Sequence, residues 1–389
     1  MTVIGVTGTN GKTSTVHLLA QALHRAGHAV ATIGTLGAGL AGDVEAGART
    51  TPDAIAVQGL LATFREKGAT HVAMEVSSHA LDQGRINAVA FDLAVFTNLT
   101  RDHLDYHGTM AAYGQAKARL FEWPGLAAAV INADDAFGQR LIDAARARGQ
   151  RVVTYGLASA DISATAIAMA ERGIALSIAS PWGRGTVETQ VVGAFNAYNL
   201  LGVLGVLVTS GVAFDEALDA LAALTPPPGR MQRLGGGGKP LVVIDYAHSP
   251  DALLQALVAL RPAVAAAREL VCVFGCGGDR DKGKRPEMGR IAATEADRVV
   301  VTTDNARSEA PEAIAADIVR GIRQTGARRW SLELDRGAAI RAAVAGARAG
   351  DVVLIAGKGH ETYQEAQGER VPFSDGAEAA AGLAAWSGA

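Results

Sequence analysis

Cysteine is almost absent from this chain: only Cys272 and Cys276 occur, in Val-Cys-Val-Phe-Gly-Cys, where a strand runs into a glycine turn. That spacing excludes a disulfide framework and gives no zinc motif, so both thiols are expected to be reduced and buried. Excess positive charge is also missing. A formal net charge of −3 with 19% charged residues supplies no basic field for nucleic acid, so any phosphate attraction must be local. No apolar run approaches membrane-spanning length, and no charged and apolar leader precedes the first motif, which leads to an expectation of a cytoplasmic protein without nucleic-acid or membrane partners. Repeats of solenoid period and low-complexity tails are lacking too. At 389 residues the chain exceeds one small core, and two or three domains are the natural expectation.

What is present begins at once. Residues 5 to 13 read Gly-Val-Thr-Gly-Thr-Asn-Gly-Lys-Thr, preceded by β-prone Val3-Ile4 and followed by Val16, Leu18, Leu19, Ala20 and Leu23 at helical spacing. A strand-loop-helix junction of this kind aims backbone N–H groups at bound phosphate. Gly8 and Gly11 allow the tight curl, Thr9 and Asn10 lie within it, Lys12 can reach the β- and γ-phosphates, and the Thr13 hydroxyl can hold magnesium. The loop is a variant, because the usual pattern puts its first glycine at position 6, where Val6 stands with Gly5 before it. ATP is the expected ligand.

Apolar strand-like runs at 29–33, 71–76, 93–97, 127–131 and 152–155 alternate with amphipathic stretches, which predicts an α/β fold with a mostly parallel sheet. Between Ile162 and Val192 the helices stop, and alternating segments at 174–178 and 186–191 suggest a small antiparallel appendage. Helices follow near 196–210 and 214–224. Thr225-Pro226-Pro227-Pro228-Gly229-Arg230 then stops helical growth, since proline lacks an N–H and fixes φ. Runs at 241–244, 270–274, 299–303 and 352–356 begin a second doubly wound α/β domain. The expected division is 1–225 for the ATP-binding domain, 226–240 for a hinge linker and 241–389 for the C-terminal domain.

Polar residues crowd the ends of these strands, where open α/β sheets bind ligands. Glu75 ends one strand and is either a magnesium ligand or a solvated carboxylate. The next strand runs into Thr97-Asn98-Leu99-Thr100-Arg101-Asp102-His103-Leu104-Asp105-Tyr106-His107. His103 and His107 are spaced to share one helical face, a zinc-type arrangement without an obvious third ligand, or else each has an ordinary surface or core role. Lys117, taken alone, reads as a solvated helical lysine.

Taken together, these residues resemble the Mur ligases, and among them the branch that adds diaminopimelate. The resemblance runs from Gly5 to about Asp375 through Met74-Glu75-Val76-Ser77-Ser78-His79, Arg101-Asp102-His103-Leu104-Asp105-Tyr106-His107, Gly193-Ala194-Phe195-Asn196, Gly229-Arg230-Met231, Asp245-Tyr246-Ala247-His248, Phe274-Gly275-Cys276-Gly277-Gly278-Asp279-Arg280-Asp281 and Ala356-Gly357-Lys358-Gly359-His360-Glu361. It implies a central ATP-binding domain and a Rossmann-like C-terminal domain. It also implies that Lys12 and Thr13 meet the phosphates and metal, that Glu75 and His103 help to hold magnesium, and that Lys117 is carbamylated and orients a second magnesium ion. Asn196 and Asp245 would address adenine and ribose, and Arg230 would reach the phosphates as the domains close. Lys12, Lys117, His103 and Arg230 are therefore the expected catalytic set.

For the incoming amino acid, Asp304-Asn305-Ala306-Arg307 aligns with the family's Asp-Asn-Pro-Arg selector, whose arginine grips the distal carboxylate of diaminopimelate. Proline is replaced by Ala306, which relaxes the φ constraint on the loop. Similarity assigns Arg280, Gly357 and Glu361 to the same pocket. Thr50, Thr51, Ser77, Gln83 and Arg85 match positions that hold the muramoyl-peptide acceptor.

With the phosphate loop so near the first residue, an N-terminal uridine-nucleotide domain is expected to be lacking, which leaves a muramoyl peptide, a smaller γ-glutamyl carboxylate, or recognition by a partner chain. The expected activity is ATP- and magnesium-dependent amide ligation through an acyl phosphate. The alternatives are a folylpolyglutamate-synthase-like or peptide-tailoring ligase, and a non-catalytic nucleotide-binding partner.

Overall fold

The computed structural model describes residues 1–389 apart from 46, 48, 170–172 and 389. It divides into two compact units, Met1–Thr100 with His107–Pro227, and Arg101–Tyr106 with Pro228–Ala389. Among the described residues no helix is long and apolar enough to cross a membrane.

The first unit is built on one eleven-stranded sheet. In chain order its strands are β1 (Thr2–Thr7), β2 (Val30–Gly34), β3 (Gly37–Leu40), β4 (Asp43–Glu45), β5 (His71–Glu75), β6 (Leu93–Phe96), β7 (Ala128–Asn132), β8 (Arg151–Gly156), β9 (Ile162–Met169), β10 (Ile174–Ser180) and β11 (Gly183–Glu188). β1 lies between β5 and β6, parallel to both, which explains why its sequence is a continuous apolar run rather than an alternating one. The helix Lys12–Arg25 buries Val16, Leu19, Ala20 and Leu23 on one stripe. Beyond the polar Asn196 and Asn199 of its first turns, the helix Phe195–Thr209 is apolar and correspondingly buried, with Leu200, Leu201, Leu204 and Leu207 fully inaccessible. Gly205 permits its close approach to the sheet, because a Cβ there would come within 2.7 Å of Val130 Cγ1.

One edge of the sheet agrees with the sequence expectation and the other extends beyond it. The antiparallel appendage expected after Ile162 is present at one edge as β9, β10 and β11. Tyr155 and Gly156 of β8 pair in parallel with Ile162 and Ser163 of β9, so the main sheet continues through β9 into the antiparallel strands β10 and β11. The opposite edge extends from β2, expected at 29–33, into β3 and β4, which hydrophobic periodicity missed because β3 is the glycine-rich Gly-Ala-Gly-Leu. Gly39 is needed there, since a Cβ would fall 2.0 Å from the Asp43 carbonyl oxygen.

The second unit holds β12 (Gln232–Gly235), β13 (Leu241–Asp245), β14 (Leu270–Phe274), β15 (Arg298–Val301), β16 (Trp330–Leu332), β17 (Val352–Ala356), and a separate hairpin of β18 (Tyr363–Ala366) and β19 (Glu369–Pro372). Its sheet order is β12-β13-β17-β14-β15-β16, all parallel except β12. Val242, Ile244, Val271, Val273, Val353 and Ile355 give this sheet its core. Within the 226–240 stretch read as a linker, Gln232–Gly235 forms an edge strand bonded to β13.

Candidate active site

In the first unit the phosphate loop leaves the carboxyl end of β1 and enters the helix Lys12–Arg25 at Gly11, whose φ of 85° is left-handed. The loop is fastened by the segment that follows β6. The Thr9 amide donates to the Asn98 carbonyl at 2.8 Å, the Asn10 amide to Asn98 Oδ1 at 2.9 Å, and Thr97 Oγ1 to the Asn10 carbonyl at 2.6 Å. Lys12 Nζ curls back over the loop and donates to the carbonyls of Gly8 and Thr9 at 2.8 and 2.7 Å. An ammonium held over a ring of backbone groups is arranged for an anion with several oxygens.

Thr13 Oγ1 donates to Glu75 Oε2 at 3.0 Å, and the buried Glu75 carboxylate also accepts from the Thr35 amide at 2.7 Å and the Thr35 hydroxyl at 3.2 Å. Gly34 closes on this group, because a Cβ there would stand 2.5 Å from Glu75 Oε1. Carboxylate and hydroxyl oxygens at the carboxyl end of the sheet form a hard donor set that fits magnesium. Thr35 carried no motif and escaped the sequence reading.

Lys117 is not a solvated lysine. Its side chain is 1% exposed, its Nζ donates to the Gly8 carbonyl at 2.7 Å, and it sits 4.5 Å over the Tyr113 ring. The burial comes from the short helix Met110–Ala118, which also buries Tyr113 and Ala116. Asn196 is buried, donating to the Val192 carbonyl at 2.7 Å and accepting from Asn199 Nδ2 at 2.8 Å. Asn199 in turn meets Thr15 Oγ1 at 3.3 Å, a tie to the first helix that no sequence signal marked.

The five residues assigned to the acceptor lie around Glu75. Thr51 Oγ1 donates to the Glu75 carbonyl at 2.8 Å and to Ser77 Oγ at 3.3 Å, and the Ser77 amide donates back to Thr51 Oγ1. Arg85 donates to the Thr51 carbonyl at 3.0 Å and to Gln83 Oε1 at 2.8 Å, while the hydroxyls of Thr50 and Thr35 are 3.0 Å apart.

The two histidines of the dense cluster do not share a helical face. His103 has a φ of 54° and precedes the helix Leu104–His107, so helical spacing does not extend to it. His107 belongs to the first unit and contacts Ser78 Oγ at 3.0 Å through Nε2, whereas His103 belongs to the second. Among the described residues no group of three or more His, Cys, Asp or Glu is placed to hold a metal.

In the second unit, Asp102 has the Nε2 atoms of His103 and His248 at 3.6 and 3.7 Å. Burial opposes its ionisation, but His248, His103 and Lys284 together hold the carboxyl well below its ordinary range. Arg230 stacks on Tyr246 with its guanidinium carbon 4.4 Å from the ring centre. Asp245, at the end of β13, accepts the Met231 amide at 2.8 Å, and burial pushes its pKa up against the pull of Arg230.

The loops after β14, β15 and β17 converge on one polar cluster. Asn305 Nδ2 donates to Glu361 Oε2 at 2.9 Å, and Lys358 Nζ, fully buried, donates to the same oxygen at 2.8 Å and to Asn305 Oδ1 at 3.0 Å. Arg307 Nη1 donates to the Gly278 carbonyl at 2.7 Å. Gly357 has a φ of 119°, and a Cβ there would lie 2.6 Å from Asp304 Oδ2. For Asp304 burial works against the charged form, yet Arg336 and Lys358 hold its pKa below the ordinary value. Arg280 is exposed and donates to the Asp279 carbonyl at 3.1 Å. Sequence reasoning quoted Lys358 within a motif without giving it a role, and missed the buried pair of Arg336 and Asp375, which meet at 2.7 Å at the base of the cluster.

Comparison with known proteins agrees with this architecture. The Mur ligase middle domain matches residues 6–207, and the Mur ligase glutamate ligase domain matches residues 229–359. The chain is 54% identical over 386 residues to the UDP-N-acetylmuramoyl-L-alanyl-D-glutamate--2,6-diaminopimelate ligase of Chromobacterium violaceum, covering 99% of this chain and 78% of that protein. It is 53% identical to the ligase of the same name from Pseudomonas aeruginosa, with the same coverage. A solved structure of a ligase with this name superposes with a TM-score of 0.70 at 41% identity, covering 99% of this chain and 78% of that one. The folylpolyglutamate synthase of Mycobacterium tuberculosis, at 20% identity, 92% and 88% coverage and a TM-score of 0.73, shares the fold. Two matched domains, a fastened phosphate loop and identity above one half along nearly the whole chain lead to one conclusion: this chain belongs to the Mur ligase family.

Proposed function

We propose that the chain is an ATP-dependent ligase that forms an amide between meso-diaminopimelate and the terminal carboxylate of UDP-N-acetylmuramoyl-L-alanyl-D-glutamate. The observation that carries this reading is the cluster at the ends of β15 and β17. Asn305 Nδ2 donates to Glu361 Oε2 at 2.9 Å, and two residues further along the same loop the Arg307 amide donates to the Glu365 carbonyl at 3.0 Å. A guanidinium and a carboxylate in one loop cluster suit a nucleophile whose far end carries both a carboxylate and an ammonium. Plain glutamate, the substrate type of the folylpolyglutamate alternative, has no distal ammonium for Glu361. A non-catalytic nucleotide binder would have no use for this second pocket.

In this reading ATP is held by the loop Gly8, Thr9, Asn10, Gly11, Lys12 and Thr13, with Asn196, Asp245 and Arg230 addressing the nucleoside and phosphates. Thr13 and Glu75, with His103, would hold magnesium, whose charge would offset that of the phosphates. The acceptor carboxylate, bound by Thr50, Thr51, Ser77, Gln83 and Arg85, attacks the γ-phosphorus and expels ADP. The amine of diaminopimelate, gripped by Arg280, Asp304, Asn305, Arg307, Gly357 and Glu361, then attacks the acyl phosphate and releases inorganic phosphate. Lys12 and Arg230 offset charge growing on the transferred phosphoryl group. Lys117, as a carbamate, converts a buried ammonium into an anion able to orient a second magnesium ion. The reading keeps 1–225 as the ATP-binding part, 226–240 as the hinge and 241–389 as the amino-acid-binding part, in a cytoplasmic enzyme of small-molecule substrates. A partner chain supplying acceptor recognition is a further part of the reading.

The test is phosphate release with ATP, magnesium and the nucleotide-linked acceptor, with meso-diaminopimelate, lysine or glutamate supplied in turn. Release should depend on diaminopimelate. Stimulation by lysine but not by diaminopimelate would overturn the amine assignment.

A further inference from the structure

Arg307 sits in a loop that has Ala306 where a proline would have fixed φ, and it adopts a φ of 52°. Asp279, in the loop after β14, is likewise left-handed at 53°. Non-glycine residues in this region are strained and persist only where the surroundings over-determine them.

The surroundings here are specific. The exposed Asp279 carboxylate accepts the Ser308 amide at 3.1 Å and the Ser308 hydroxyl at 2.7 Å. The Asp279 amide donates to Glu309 Oε1 at 2.7 Å. The Gly278 amide donates to the Asn305 carbonyl at 2.9 Å, and the Gly278 carbonyl accepts Arg307 Nη1. Beneath them Arg285, 1% exposed, grips Glu309 at 2.7 Å and Asp317 at 3.2 Å. The hydrogen bonds from Arg285 hold Glu309 down to about 2.

We infer that Asp279, Ser308 and Glu309, anchored on Arg285, form a clamp that presets the Arg307 guanidinium for the incoming amino acid. These are positioning residues, acting through Arg307. The Gly278 carbonyl anchors one nitrogen of the guanidinium, while the two bonds that Ser308 donates to the Asp279 carboxylate hold the backbone next to Arg307. Preorganisation of this kind lowers the ordering cost of binding, so its loss should appear in amino-acid affinity and selectivity rather than in the chemical step. The inference rests on the proposed diaminopimelate pocket.

The experiment compares Asp279→Ala, Ser308→Ala and Ser308→Thr with the wild-type chain in the phosphate-release assay, and records thermal unfolding of each. Asp279 and Ser308 are exposed, so the variants should fold. Expected for both alanine variants is a KM for meso-diaminopimelate raised by about tenfold, the scale of one hydrogen bond to a charged group. With it should come a reduced preference for diaminopimelate over lysine, an unchanged KM for ATP, and a kcat within about twofold of wild type. Ser308→Thr, which keeps the hydroxyl, should behave as wild type. An unchanged KM for diaminopimelate in both alanine variants would overturn the clamp, as would a lowered unfolding temperature with KM unmoved. If the wild-type chain itself shows no response to diaminopimelate, the functional reading has failed, and that is read before any variant is compared.

Discussion

Lys117 Nζ lies 2.7 Å from the carbonyl oxygen of Gly8, so a lysine 109 residues along the chain is bonded to the phosphate loop's own backbone. The contact links the two motifs on which the proposed chemistry rests.

Lys117→Met should therefore lower the rate of phosphate release by about 10²-fold, comparable to removal of a group that stabilises developing charge. Short carboxylic acids added to the variant should restore part of the rate by standing in for the carbamate. Full activity in the variant without such additives would remove Lys117 from the mechanism.

Gly11→Ala forces a side chain onto a φ of 85° and puts its Cβ 2.6 Å from Asn199 Oδ1. Left-handed strain of about 1–2 kcal/mol, together with displacement of Asn199 and its partner Asn196, should weaken ATP binding by about tenfold or more. Calorimetric titration with ATP measures this directly. An unchanged affinity would show that the loop tolerates a conformation other than the one described.

Arg336 and Asp375 are both fully buried and paired at 2.7 Å, and Arg336 also donates to the carbonyls of Thr303 and Ala356. Arg336→Met leaves a buried carboxylate without its counter-charge, a loss of about 3–5 kcal/mol. Urea denaturation should show a large fall in midpoint, and the double variant with Asp375→Leu should recover much of it. Equal instability of the single and double variants would place the loss in packing rather than charge.

His71, at the start of β5, has its pKa lowered to about 4 by burial first and by the neighbouring His28 second, with the two rings 4.2 Å apart. Its folded pKa lies below the ordinary 6.5, so the unfolded chain takes up the proton first on acidification. The associated stability is complete above the ordinary value and is lost as the pH falls from 6.5 towards 4. Urea midpoints measured at about pH 7 and about pH 5 should fall less for His71→Gln than for the wild-type chain. An equal fall in both proteins would assign the acid sensitivity to other groups.

The α/β class, the phosphate loop and the second nucleotide-type sheet were legible because each is a local pattern. Buried parallel strands such as Leu270–Phe274 must be apolar along their length, and the helix Lys12–Arg25 must bury one stripe. The strands β3 and β4 were not legible, since glycines carry no periodicity and Gly39 is chosen by the approach of another strand. Nor could spacing decide between a shared and a divided role for His103 and His107, because a single left-handed φ separates them.

By itself, the sequence determined where backbone N–H groups gather for phosphate, which strands are buried on both faces, and which polar residues end those strands, all consequences of short-range pattern. Tertiary structure alone decided the states of Lys117, Lys358 and Arg336, three cations that composition would leave in solvent. Burying such a charge is unfavourable unless partners surround it, and those partners, Gly8, Asn305 and Asp375, are supplied by other segments that only folding brings near.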